Sequence, residues 1–233
     1  MNGTPSDNKP VLIVGAGMAG LACALTLHRS GVQFLLFDRD EKVGGRVQTD
    51  EIDGYRLDRG FQVLLTAYPE AKRFLDYETL ELQSCYSGSR VWYDGKFHQV
   101  TDPFRHPFDG VCSIFNPIGS FFDKLRVGML RLGLKSTRHM PDDLSTIEAL
   151  QELGFSCSMI DRFWKPFMRG VFLENDLSTS IRKFEETFRL FAQGETTLPR
   201  RGIGEIPRQM AEQLPIEQLK LGHSVSEVYP QEI

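Results

Sequence analysis

The stretch Val11-Leu12-Ile13-Val14-Gly15-Ala16-Gly17-Met18-Ala19-Gly20 decides the fold. Its four apolar residues read as a short buried strand that runs straight into a G-x-G-x-x-G turn and then a helix over Leu21–Arg29. In such a turn Gly15 permits the tight bend, Gly17 lets the backbone approach a pyrophosphate, and Gly20 lets helix and strand pack closely. Ala16, Met18 and Ala19 complete the candidate loop. The helix start adds N–H groups without intrahelical acceptors and the positive end of the helix dipole, both suited to phosphate. A second apolar run, Phe34-Leu35-Leu36-Phe37, ends in Asp38-Arg39, and Asp38 lies 18 residues past Gly20. An acidic residue at that distance accepts hydrogen bonds from an adenosine ribose. These features predict a βαβ unit that binds a dinucleotide.

The next segment, Glu41-Lys42-Val43-Gly44-Gly45-Arg46-Val47, presents one arginine from a paired glycine turn. A planar guanidinium bonds two phosphate oxygens at once, and an ordinary nicotinamide-binding unit has no need of this second grip. The alternative reading of Gly44, Gly45 and Arg46 is a hairpin with an exposed arginine. Taken in order, the fingerprint, the acidic strand end and Gly44-Gly45-Arg46 resemble the N-terminus of the FAD-dependent amine oxidase and phytoene desaturase superfamily, which includes relatives of carotenoid desaturases and protoporphyrinogen oxidase. Asp38 stands where that superfamily usually has Glu. The resemblance implies FAD as cofactor and an α/β fold, a Rossmann-like FAD/NAD(P)-binding domain with an inserted, mainly helical substrate domain. It also places Arg39 with Asp38 among the cofactor-binding candidates.

Composition bounds the rest. The chain has 233 residues, 41% hydrophobic and 25% charged, as in a soluble globular protein of one large or two modest domains. A net charge of −4 carries no electrostatic footprint for nucleic acid. The first ten residues are polar, without the apolar core of a secretory signal. No apolar run reaches the roughly 18–20 residues that span a bilayer, so a cytoplasmic location is expected. Cys23, Cys85, Cys112 and Cys157 form no C-x-x-C pair, which favours buried free thiols over disulfides or zinc. The five histidines are scattered, and no metal site is expected.

Further along, Gly54 to Gln62 reads as a strand leading to a glycine. The superfamily has a similar D-x-G segment whose backbone passes close to the flavin, which adds Gly60 and Phe61 to the cofactor-binding candidates. The apolar run ending in Ala67-Tyr68-Pro69 resembles carotenoid desaturases, and it also suits a core strand followed by a helix that Pro69 starts. Arg90 to Val100 is a hairpin with Asp94-Gly95 as a type I′ turn. The family would place this hairpin over the substrate region. Helices are expected at Ser120–Leu134, Ser145–Leu153, Ser158–Phe167 and Ser178–Ala192, with Ser145 and Glu148 forming a capping box. The expected division is 1–100 for the N-terminal part of the FAD-binding domain, 101–195 for the helical substrate domain, and 196–233 for the return to the FAD-binding domain.

Phe121 to Lys135 mixes apolar and basic residues at helical spacing. It reads either as a basic helix lying on a membrane surface or as a helix packing its Leu and Met face on the core with solvated Arg and Lys. Phe184, Phe188 and Phe191 share one helix face, either a core stripe or the wall of an apolar tunnel. Trp164 to Phe172 resembles the P-x-x-x-G-V-F pattern of protoporphyrinogen oxidase and desaturase relatives. Lys165 and Arg169 within it are anchors for an acidic substrate group or the flavin, or else surface charges. Leu198 to Pro207 is similar to the family's P-x-G-G-M segment but has Ile203-Gly204 where the family has Gly-Met. A strand pair is expected at Gln218–Leu221 and Ser224–Tyr229, and the resemblance gives Val225 backbone contacts to the adenine. The family's closing FAD motif would follow residue 233, so the chain reads as a fragment.

The resemblance implies hydride transfer from substrate to flavin, then electron transfer to oxygen or a quinone. The expected substrate is a hydrophobic small molecule undergoing desaturation, with amine or protoporphyrinogen oxidation as the alternatives, and peripheral membrane contact is expected with it. No G-x-S-x-G, reactive cysteine setting or paired carboxylates are present, so no catalytic side chain is assigned. Two readings from other classes stand beside this one. A truncated, non-catalytic nucleotide-binding protein is the first; the second, a nicotinamide-linked dehydrogenase, needs a His/Lys constellation that the sequence does not show.

Overall fold

The structure, a computed structural model, describes residues 9–60, 63–134, 137 and 139–229. In chain order its first elements are β1 (Val11–Val14), α1 (Met18–Arg29), β2 (Phe34–Phe37), β3 (Gln48–Ile52), β4 (Tyr55–Arg59) and β5 (Leu64–Leu65). Then come α2 (Pro69–Phe74), β6 (Gln83–Ser84), β7 (Gly88–Tyr93), β8 (Lys96–Thr101), α3 (Pro107–Ile114), α4 (Phe121–Arg131) and α5 (Thr146–Glu152). The rest are α6 (Cys157–Met159), a π-helical turn (Ile160–Trp164), α7 (Lys165–Phe172), α8 (Ile181–Gln193), β9 (Thr196–Leu198), α9 (Glu205–Glu212) and β10 (Leu219–Lys220). The chain forms two compact units, Met1–Cys85 with Thr196–Ile233, and Tyr86–Glu195. The division expected between residues 100 and 101 therefore falls between Cys85 and Tyr86, and the β7–β8 hairpin groups with the helices.

In the first unit, β1 and β2 pair in parallel from Val11 opposite Phe34 to Val14 opposite Phe37. β10 adds in parallel on the far side of β2, with Leu219 opposite Leu36. α1 covers one face. Its Leu21, Ala24 and Leu25 pack with Ile13, Phe34 and Leu36 and with Met210 and Leu214 in a buried cluster. Burying a Phe or Leu of this kind contributes about 1.5–3 kcal/mol. Because side chains alternate along a strand, Leu12 and Val14 point away from Ile13, and they remain 64% and 60% exposed. β3 and β4 form an antiparallel hairpin, and β5, β9 and β6 form a second small antiparallel sheet.

Two expectations fail in this unit. No strand forms over Ser224–Tyr229. A turn at Gly222, with φ of +71°, lets Gly222 and His223 donate to the carbonyls of Asp40 and Asp38, which leads the chain along that loop rather than back onto β10. The thiols of Cys23 and Cys85 are free but exposed, as is that of Cys157 in the second unit, and Cys112's side chain lies outside the described residues. For Cys23 the reason is its place on the outer face of α1, whose buried face carries Leu21, Ala24 and Leu25.

In the second unit the β7–β8 hairpin turns at Asp94 and Gly95, with φ of +50° and +73°, the left-handed pair a type I′ turn requires. Ser145 and Glu148 form the expected capping box on α5. Ser120 and Asp123 form another on α4. Asp123 is fully buried and accepts hydrogen bonds from the N–H and hydroxyl of both Ser120 and Ser156, so one carboxylate ties the starts of α4 and α6 together. The helix expected over Ser158–Phe167 begins at Cys157, widens into the π turn, and continues to Phe172.

Around that turn Trp164 is buried among Phe155, Phe163, Phe184 and Phe188 at ring distances of 5.1–5.9 Å. Phe184 stacks on Phe188, and Phe191 meets Phe167, so the phenylalanine face of α8 packs into an aromatic cluster. Lys165 pairs with Asp161 and Arg169 with Asn175 at the surface. α4 is the reverse of the basic-outside helix. Lys124 donates to the Asn116 carbonyl, Arg126 pairs with Asp123, and Arg131 reaches Asp102 and the Ala192 carbonyl. Its exposed residues are Phe121, Phe122 and Leu125, followed by Leu132 and Leu134.

Candidate dinucleotide-binding site

The loop between β1 and α1 is built by its three glycines. Gly15 has φ of +101° and donates its N–H to the Phe37 carbonyl at 2.7 Å. A Cβ on Gly20 would overlap the Gly15 carbonyl oxygen, so only glycine lets the helix start so close to the strand end. Gly17 differs: a Cβ there would meet nothing within 4 Å, which leaves open space in front of its backbone. α1 begins at Met18, three residues earlier than its apolar pattern predicted. The N–H groups of Met18, Ala19 and Gly20 therefore belong to the first helical turn, which lacks intrahelical acceptors. That turn has no side-chain cap and no acidic residue of its own, which suits an anion.

The paired glycines reach the same place from a distant part of the sequence. Gly44 forms a parallel bridge with Gly17 and donates to the Ala16 carbonyl at 2.8 Å. Gly44 and Gly45 have φ of +114° and +57°. Arg46 is exposed and enters no ion pair among the described residues. Gly60, at the end of β4, lies beside it: a Cβ on Gly60 would stand 2.9 Å from the Arg46 carbonyl oxygen.

Asp38, at the end of β2, accepts the Ala16 N–H on Oδ2 at 2.6 Å and the Asp40 N–H on Oδ1 at 2.9 Å. Arg39 is exposed and lies 3.8 Å from Asp40. The fold thus brings together the loop from Gly15 to Gly20, Asp38, the Gly44-Gly45-Arg46 turn and Gly60. Phe61 lies outside the described residues. Val225 is in no strand and is 38% exposed, although His223, two residues before it, donates to the Asp38 carbonyl. Beside the loop lies an apolar cleft of about 350 Å³, lined by Met18, Val47, Leu64, Tyr68, Ile206 and Met210 among others. No local pattern in the sequence marks this cleft, because its walls come from four separate segments.

These features fit a dinucleotide with a pyrophosphate: open backbone at Gly17, an uncapped helix start, and an exposed arginine on a turn bridged to Gly17. The sequence pattern of the flavin containing amine oxidoreductase family matches residues 18–231, so the chain belongs to that family, whose cofactor is FAD. Among curated relatives, a phytoene desaturase of Neurospora crassa is 32% identical over an alignment of 103 residues that covers 40% of this chain and 17% of the relative. An oxidoreductase structure from Methanosarcina mazei superposes with a TM-score of 0.67 over 91% of this chain and 50% of its own, at 19% identity. A putrescine oxidase bound to putrescine gives 0.62 over 92% and 51%, at 20% identity. The chain thus shares the fold of both structures, spans about half the length of each, and matches a much smaller share of the desaturase.

Proposed function

We propose that this protein binds FAD in the cradle of the first unit and oxidises a hydrophobic substrate by hydride transfer, as a desaturase of the carotenoid type. The observation that carries the reading is the bridge between Gly17 and Gly44, which sets the helix start beside the Arg46 turn. In this reading the loop of Gly15, Ala16, Gly17, Met18, Ala19 and Gly20 lies along the pyrophosphate, the N–H groups of its helical start donate to it, and Arg46 on the Gly44-Gly45 turn neutralises it. Asp38 holds the adenosine ribose with Arg39 beside it, Val225 lies along the adenine, and Gly60 runs along the flavin. Bound FAD would supply the two-electron acceptor for the substrate's hydride. The protein's part is to hold, orient and exclude water, and no side chain is assigned as acid or base.

For the substrate, the helical unit is taken as the binding part. Support comes from the phytoene desaturase relative and from the apolar outer face of α4, a surface suited to peripheral contact with a lipid layer. A long apolar substrate gains roughly 25 cal/mol for each Å² it buries, and so binds without a charged anchor. No described helix is long and apolar enough to cross a membrane. The deciding test supplies FAD-loaded protein with polyenes in liposomes, a porphyrinogen or a panel of amines, and follows flavin bleaching without oxygen. Bleaching by the polyene supports the desaturase reading. Bleaching by amines or the porphyrinogen alone replaces it with one of those oxidations.

A further inference from the structure

We infer that Thr49 and Asp58 are positioning residues that set the Gly44-Gly45-Arg46 turn for the cofactor; this rests on the FAD reading above. β3 begins two residues after Arg46 and β4 ends one residue before Gly60, with Thr49 opposite Asp58 in register. The Thr49 hydroxyl donates to Asp58 Oδ1 at 2.6 Å. The same carboxylate oxygen accepts the Ile203 N–H at 3.0 Å, and the Thr49 hydroxyl oxygen accepts the Gly204 N–H at 2.9 Å. Two side chains thus tie the hairpin to the loop that opens α9.

That loop lies so close to Thr49 that only glycine fits at two of its positions. A Cβ on Gly202, whose φ is +99°, would overlap the Thr49 hydroxyl, and one on Gly204 would stand 2.9 Å from the Thr49 nitrogen. Ile203 between them is buried with Leu64, Leu80 and Ile206. The loop delivers Pro207 in α9 to the Gly44 turn, where a Cβ on Gly44 would stand 2.9 Å from the proline Cγ. Gly44 is therefore held on one side by Ala16 and Gly17 and on the other by Pro207, and the position of Pro207 follows from Thr49 and Asp58. A two-pronged arginine contact needs its backbone fixed to within about 0.5 Å, so play in this chain of contacts reaches Arg46 directly.

The test compares the parent chain with Thr49→Val, Thr49→Ser, Arg46→Ala and the Thr49→Val/Arg46→Ala pair, reading FAD affinity by flavin fluorescence quenching. Thr49→Val should weaken binding about five- to tenfold, as the loss of one or two hydrogen bonds does, and Thr49→Ser should restore it. With Arg46 already removed, Thr49→Val should change nothing further. Hydrogen exchange on FAD-free protein gives a second reading. Thr49→Val should speed exchange of the Gly204 N–H and also of the Val47 N–H, which donates to the Gly44 carbonyl at 2.9 Å. Additive losses in the Arg46→Ala background, or unchanged exchange at Val47, would overturn the inference. A parent that binds no FAD would sink the cofactor reading, and the exchange result alone would then decide whether the two residues hold the turn. Should Thr49→Val fail to fold, Asp58→Asn enters the same comparison.

Discussion

Asp38 Oδ2 and the backbone N–H of Ala16 are joined at 2.6 Å across 22 residues of sequence. The carboxylate at the end of β2, proposed above to hold the ribose, therefore also fixes the second residue of the glycine loop. Asp38→Ala removes both, and should weaken FAD binding by about 1.5–3 kcal/mol, the range for hydrogen bonds to a charged group. Equilibrium dialysis of the flavin checks this, and unchanged retention contradicts the assignment.

Arg46 is exposed and enters no ion pair among the described residues. Arg46→Lys keeps the charge and loses the planar fork, and should bind FAD little better than Arg46→Ala. A lysine variant with the parent's affinity would reduce the contact to simple charge attraction.

Two glycines of one loop should respond in opposite ways. Gly20→Ala sets a methyl against the Gly15 carbonyl and should destabilise the protein by roughly 1–3 kcal/mol, visible as a lowered melting temperature without cofactor. Gly17→Ala meets only open space, so it should leave the FAD-free melting temperature nearly unchanged while impairing FAD binding. Equal thermal losses in both variants would refute the distinction.

Asp123 predicts a pH dependence of stability. Burial works to raise its pKa, but the hydrogen bonds from Ser120 and Ser156 prevail and hold it below the usual carboxylate range. A folded pKa below the unfolded one gives stability that is fully present above the unfolded value, about 3.9, and fades as pH falls through the folded value. Asp123→Asn should therefore cost roughly 2–4 kcal/mol at neutral pH, where the charge goes and an NH2 donor replaces one of the two acceptor oxygens at the helix starts, and less in acid. Urea unfolding of both proteins at neutral and acid pH measures the gap; a gap that does not narrow in acid would contradict the account.

The first βαβ unit was readable because its signals are local: four apolar residues, glycines at fixed spacing, and an acidic residue after the second strand. The Asp94-Gly95 turn and the Ser145–Glu148 box were legible for the same reason, each being a rule within four residues. What escaped depends on partners far along the chain. The expected Ser224–Tyr229 strand had a plausible pattern but no neighbour to pair with once Gly222 and His223 bonded to the Asp38–Asp40 loop. A local reading of α4 puts its charges outside, because nothing nearby in the sequence shows that Asp123 caps a second helix or that Arg131 reaches the end of α8. The cradle's glycines could be named from the sequence, whereas the Thr49–Asp58 tie to Ile203 and Gly204 spans some 145 residues and leaves no motif.

The wide turn at Ile160–Trp164 has the geometry of one residue inserted into a helix. Each residue of an α-helix advances the chain by about 100°, yet Met159 before the turn and Met168 after it are both buried in the same cluster. The surplus is absorbed within the turn, and the flanks stay in phase. A deletion of one residue here closes an ordinary helix without rotating either flank off the core, whereas the same deletion in α8 would swing its phenylalanines toward solvent.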